Sequence, residues 1–293
     1  MVPKWFKILA AVVGTLAAVY ALTLIPRSGR PRTFSVPADP VKLRVESPSS
    51  KSTLEKKGGV WRVTDPVDWP ADEGSVLRVL SGLKGLILES EITRRPESYA
   101  QYELVEGKET HLSVWEKGEK SPVELFLGKN AGFTDRAYVR VGKDPAVYIA
   151  AGMSREAADF PAVRWRDRSV MDRTDIVRVR RTEGEGSVHL EKSSSSWTVD
   201  GKPSAWASSC VSTIRSLTAD DFVDPPAAAD LAKYGLDKPA VSFEISFSSG
   251  TPVTLSLGIG DPRPIRKEGV ETLFLVPANR LEPLEKVVPP AGK

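Results

Sequence analysis

Two histidines, one cysteine and a few closely spaced carboxylates are the side chains through which this 293-residue chain would carry out any chemistry. His111 and His189 fall in separate alternating stretches, and neither has a second histidine at ligand spacing. A zinc ligand or a general base needs converging partners. Each histidine therefore reads as a strand residue. Cys210 is the single cysteine, so neither an intramolecular disulfide nor a Cys-built zinc site can form within one chain. Lone cysteines suit a cytoplasm or a bacterial periplasm and argue against a disulfide-built extracellular scaffold. Asp220-Asp221 and Glu183 with Glu185 are the closest carboxylate pairs. Acid–base work needs a pocket that drives two such pKa values apart, and both stretches read as solvated loops.

The glycine and serine clusters are equally plain. Gly184-Glu185-Gly186 lies between predicted strands, and Gly258-Ile259-Gly260 runs into Asp261-Pro262-Arg263-Pro264. A phosphate cradle needs a helix opening after the loop, which neither provides, so both read as turns. Ser193 to Ser196 has no nucleophile elbow around it and reads as a hairpin turn. No catalytic, cofactor-binding or metal-ligating residue is assigned, and the chain is read as a non-enzyme.

The elements that would position these residues are short strands and two helices. Lys42 to Glu46 alternates polar and apolar side chains, and Leu54-Glu55-Lys56 and Val60-Trp61-Arg62-Val63 flank a Gly58-Gly59 turn as a hairpin. Asp72 or Ser75 can cap a helix whose Val76, Leu77, Leu80, Leu83 and Leu86 share one face. Residues 87–92, 111–115, 123–127, 137–141 and 146–150 are predicted as strands, and 154–160 as a short helix.

The second half repeats this order. Leu190-Glu191-Lys192 precedes Trp197-Thr198-Val199, and Val211, Ile214 and Leu217 match Leu77, Leu80 and Leu83 in spacing. Leu231-Ala232-Lys233-Tyr234-Gly235-Leu236 matches Tyr99-Ala100-Gln101-Tyr102-Glu103-Leu104, and Val253–Gly258 matches Val123–Gly128. Four anchors in order predict a duplicated unit. Trp61 and Trp197, at equivalent places, then read as core residues that pack on the following helix. Tyr102 and Tyr234 are read as supports of the fold. The basic run Arg164, Arg166, Arg168, Arg173, Arg178, Arg180 and Arg181 reads as a solvated connection and strand face, with anionic lipid or an acidic partner surface as its functional alternative.

Ile8 to Ile25 has no charge and no proline and is flanked by Lys4, Lys7, Arg27, Arg30 and Arg32. As a helix it would rise about 27 Å, close to the roughly 30 Å hydrocarbon core of a bilayer. The apolar run continues past the small-residue site near Val19-Tyr20-Ala21, which favours an uncleaved anchor over a signal peptide. The flanking charges slightly favour the opposite orientation, but a short N-terminal tail before a large polar region is the usual signal-anchor arrangement. With 41 basic against 38 acidic residues and a net charge of +3, the chain has no polybasic footprint for nucleic acid.

The ordered anchors, with Leu231 to Pro239 (LAKYGLDKP), Leu255-Ser256-Leu257-Gly258 and Trp165-Arg166-Asp167-Arg168, resemble the bacterial domain of unknown function DUF4340. The first half departs from the motif, with Glu103 in place of glycine and Glu106-Gly107 in place of Asp-x-Pro. The resemblance implies a membrane-anchored protein accompanying ABC-transporter components of the kind linked to gliding motility.

The expected architecture is α+β: two related, mostly antiparallel sheet units, each with an amphipathic helix, preceded by one transmembrane helix. The expected segments are an anchor or signal peptide over 1–26, a linker over 27–40, a first unit over 41–162, a connection over 163–175, a second unit over 176–288 and a tail over 289–293. The expected function is that of a non-catalytic scaffold or accessory subunit of an ABC-type transport or gliding-motility envelope complex. Its placement would be single-pass in the bacterial inner membrane, with the soluble region periplasmic and no cofactor. The alternative is a periplasmic module binding a glycan or peptide between the units, with an enzyme third.

Overall fold

Alternation along residues 40–46 gives the strand it predicts: Leu43 and Val45 are fully buried, while Arg44 between them faces solvent. The computed structural model describes residues 32–132, 135–194, 196–225 and 227–286. The expected anchor over 1–26 and the tail over 289–293 lie outside them. Among the described residues no helix is long and apolar enough to cross a membrane.

The chain divides into two units at Trp165/Arg166. In the first, β1 (Arg32–Thr33), β2 (Pro40–Glu46), β3 (Lys51–Lys57), β4 (Val60–Asp65) and β5 (Trp69–Pro70) precede helix α1 (Glu73–Lys84). Then come β6 (Ile87–Thr93), a 3-10 segment (Pro96–Tyr102), β7 (Thr110–Glu116), β8 (Val123–Asn130), β9 (Arg136–Val141) and β10 (Val147–Ala151). The second unit has β11 (Ile176–Glu183), β12 (Gly186–Lys192), β13 (Trp197–Val199), β14 (Lys202–Pro203), α2 (Ala205–Ser216) and β15 (Asp221–Val223). It continues through β16 (Val241–Phe247), β17 (Val253–Leu257), β18 (Arg263–Lys267), β19 (Leu273–Val276) and a one-turn helix α3 (Glu282–Glu285).

Each unit is one antiparallel sheet, so the fold is α+β and mostly β. The first runs β1-β6-β10-β9-β8-β7-β2-β3-β4-β5, and the second β15-β19-β18-β17-β16-β11-β12-β13-β14. Apart from β1, the two orders correspond strand for strand.

Asp72 caps α1, its carboxylate accepting from the Ser75 amide at 2.6 Å. The buried face is Val76, Val79, Leu80 and Leu83, an i, i+3, i+4, i+7 set. Leu77 was expected on that face but is 50% exposed, because it lies one position off this stripe. Trp61 joins the α1 residues and Leu43, Val45, Leu112 and Leu125 in one core, and Trp197 is buried in the second unit.

Three further expectations are corrected. The described part of the 27–40 linker is docked: β1 pairs with β6, the Phe34 amide donates to the Leu86 carbonyl at 3.0 Å, and Phe34 is 5% exposed. Burying a phenylalanine contributes about 2–3 kcal/mol, enough to hold such a strap. The 163–175 connection is likewise not a solvated run, since Trp165, Arg166, Val170 and Met171 are buried. The expected helix over 154–160 is a single 3-10 turn, Arg155–Ala157.

The sequence repeats have a common geometry. The Leu104 amide donates to the Tyr99 carbonyl at 3.0 Å, and the Leu236 amide to Leu231 at 2.8 Å. Residue 103 or 235 between them is left-handed in both, Glu103 at φ 56 and Gly235 at φ 65. Each strand ending Leu-x-Leu-Gly then meets this turn: a Cβ on Gly128 would lie 2.1 Å from the Tyr102 carbonyl oxygen, and one on Gly258 2.3 Å from that of Tyr234. The motif glycines exist to let that carbonyl approach.

Candidate functional site

The residues nominated for chemistry do not converge. His189 is exposed on β12 opposite Arg180. Asp220 pairs with Arg280, while Asp221 caps the Phe222 amide. Glu183 accepts from Arg181, and Glu185 sits in the tight turn from β11 to β12. Ser193 closes on Ser196 across a turn, its amide donating to the Ser196 carbonyl at 2.8 Å. Cys210 is buried on α2, and desolvation pushes its thiol up to about 12, leaving it protonated and unreactive at neutral pH. Among the described residues no group of three His, Cys, Asp or Glu side chains is placed to hold a metal ion.

The basic run is largely engaged within the second unit. Arg166 makes a two-pronged ion pair with Asp224 at 2.8 and 2.9 Å and lies on the Phe222 ring. Arg173 donates to the Ser249 carbonyl and grips Asp175, and the bonds it makes to Asp175, then one from Ser248, hold that carboxyl down at about 2. Arg181 is 2% exposed and stands where the first unit has Val45. Its guanidinium donates to the carbonyls of Leu284 and Glu285 at 3.0 and 2.9 Å and to Glu183 at 2.8 Å. It thereby satisfies carbonyls at the C-terminal end of the chain's last described helix. Neither Arg166 nor Arg181 belongs to a solvated face.

One histidine does sit in a built environment. The face of the first sheet opposite α1 carries a row of side chains across neighbouring strands: Lys51, Glu46, His111, Phe126 and Arg140 are successive cross-strand partners on β3, β2, β7, β8 and β9. His111 stacks on Phe126, with ring centroids 4.2 Å apart and planes at 14°. Its Nε2 is 3.2 Å from Glu124 Oε1 and its Nδ1 3.6 Å from Glu46 Oε2. Arg140 continues the stack, 4.3 Å from the Phe126 centroid and 4.7 Å from that of Tyr99. Tyr102 lies on Tyr138 at 4.6 Å, and Lys42 lies over Trp115 at 5.3 Å. Glu109 is nearby, its carboxyl raised by burial against the opposing pull of Arg140 and His111.

The second unit decorates the same face differently. Aligning the paired strands places Ser242 at the position of His111, Ser246 at Trp115, Ser256 at Phe126, Pro264 at Tyr138 and Arg266 at Arg140. The shared topology folds there without these aromatic rings, so the rings are not a requirement of the fold. The sequence held the signal in these substitutions, but only strand pairing shows that they fall on one face.

The second unit instead has a hollow of about 470 Å³ beside Leu231, Arg266, Val270, Glu271 and Leu273.

A family model described as a domain of unknown function, DUF4340, matches residues 61–239 in one continuous span. The span begins at Trp61 on β4, crosses the division between the units and ends at Pro239 of the LAKYGLDKP stretch. No curated protein and no solved structure matches the chain. Covering more than half the chain, the match shows that this protein belongs to the DUF4340 family.

Proposed function

We propose that this protein is a non-catalytic, membrane-anchored scaffold or accessory subunit, serving an ABC-type transport or gliding-motility envelope complex. The apolar run Ile8–Ile25 is its single anchor in the inner membrane, and the two units are displayed in the periplasm. One observation carries the scaffold reading: the aromatic and basic face of the first sheet, built on a topology that the second unit forms without it. Half-buried Trp115, Phe126, Tyr138 and Arg140 are of the residue types that anchor protein–protein contacts, and their stacking on Lys42, His111, Tyr102 and one another holds them before a partner arrives. His111, Glu46 and Glu124 hold one another within this surface.

A reporter fused at the C-terminus, combined with purification from membranes under mild detergent, tests the proposal. Reporter activity in the periplasm and stable recovery of identified transporter subunits support it. A cytoplasmic reporter, or a lone monomer that binds envelope glycans, contradicts it.

A further inference from the structure

The hollow in the second unit has a filled counterpart in the first. Tyr99 and Leu231 occupy equivalent places, each carbonyl accepting from the amide of a buried leucine five residues on. Arg140 and Arg266 are equivalent as the cross-strand partners of Phe126 and Ser256. The loops that follow have equal length, with five residues between β9 and β10 and five between β18 and β19, and the strands they join pair in the same register, Val139 with Tyr148 and Ile265 with Phe274. Pro145 and Glu271 therefore correspond.

In the first unit the Tyr99 ring lies on the Arg140 guanidinium, and its hydroxyl donates to the Pro145 carbonyl at 2.8 Å. In the second unit the arginine and the loop remain, but the residue at the tyrosine position is Leu231. What results is the hollow of about 470 Å³, with Leu231, Val270 and Leu273 as apolar wall and Arg266 and Glu271 as its polar groups. Its size falls within the roughly 300–1,000 Å³ range of small-ligand sites.

We infer that this hollow is a binding site for a tyrosyl side chain supplied by another polypeptide, which occupies it as Tyr99 occupies its equivalent. The ring would lie on Arg266, the cation facing the π surface. The hydroxyl would donate to the loop at Glu271, and the apolar wall would cover the ring edge. The site lies in the second unit and does not depend on the aromatic face of the first.

The probe is N-acetyl-tyrosinamide, observed by saturation-transfer NMR on the detergent-solubilised full chain, with N-acetyl-leucinamide as control. The tyrosine probe is expected to bind and the leucine probe to bind at least tenfold more weakly. Leu231→Tyr supplies the chain's own ring and should abolish binding of the tyrosine probe. Arg266→Ser, at an exposed position that leaves the fold intact, should weaken it about tenfold, whether or not Leu231→Tyr folds. Absence of binding by the tyrosine probe, equal binding of the two probes, or wild-type affinity in Arg266→Ser would each overturn the inference.

Discussion

The glycine that ends the Leu-x-Leu-Gly strand can be tested directly, because its neighbours are rigid. In Gly258→Ala the new methyl would lie 2.3 Å from the Tyr234 carbonyl oxygen, 2.8 Å from Pro264 Cγ and 3.1 Å from the Pro264 carbonyl oxygen. None of these belongs to a flexible side chain that can swing aside. Forcing a methylene into a packed site costs about 1–3 kcal/mol. Moving the Tyr234 carbonyl also weakens its bond from the Ile259 amide, now 2.9 Å, for about 1 kcal/mol more. The predicted loss is therefore about 2–4 kcal/mol, read from denaturant unfolding followed through Trp197 and Trp206 of the same unit. Gly269→Ala is the control: at φ +80 with no atom within 4 Å of its Cβ, it pays only the left-handed penalty of about 1–2 kcal/mol. A Gly258→Ala loss below about 0.5 kcal/mol, or one no larger than that of Gly269→Ala, would refute the close-approach explanation of the motif.

Other perturbations follow from the same contacts. Arg181→Ala should cost about 1–3 kcal/mol for each of the Leu284 and Glu285 carbonyls it leaves without a donor, and limited proteolysis should then cut the C-terminal segment first. Glu109 has a raised folded pKa, so its contribution to stability is present below the unfolded carboxylate pKa and lost as pH rises through the folded value. Glu109→Gln should accordingly raise the melting temperature at pH 7 and leave it unchanged at pH 3. Asp175 is shifted the other way, to about 2, so the stability it confers is present above the unfolded value and lost as pH falls towards 2. The melting temperatures of wild type and Asp175→Asn should converge over that range. Trp61→Ala should cost about 3–5 kcal/mol as a core deletion, whereas Trp115→Ser, matching Ser246, should cost under about 1.5 kcal/mol by thermal unfolding.

Local signals in the sequence proved sufficient for the elements that depend on neighbours. The Gly58-Gly59 hairpin and the Asp72 cap follow from residues a few places apart, and the buried Trp61 and Trp197 from their equivalent places in the two repeats. What was not legible depends on partners far along the chain. Arg166 sits in a basic run and reads as solvated until Asp224 is found beside it, and Arg181 until the carbonyls of Leu284 and Glu285 are. Phe34 reads as linker because the Leu86 carbonyl that fixes its backbone lies more than fifty residues away. The exchange of Tyr99 for Leu231 was visible in the aligned repeats, yet it acquires meaning only when strand pairing puts Arg140 and Arg266 at the same place. Similarly, the aromatic face is scattered over Trp115, Phe126 and Tyr138, and only the sheet collects it.

The scaffold proposal places the partner on the aromatic face of the first unit, and the second unit supplies an internal control. A photo-crosslinking amino acid introduced at Phe126, or in a separate protein at Ser256, reports what each equivalent position touches in intact cells. The proposal predicts a crosslink from position 126 to a membrane transport or motility subunit identified by mass spectrometry, and none to that subunit from position 256. Crosslinks to the same proteins in equal yield from both positions, or none from position 126, would contradict it.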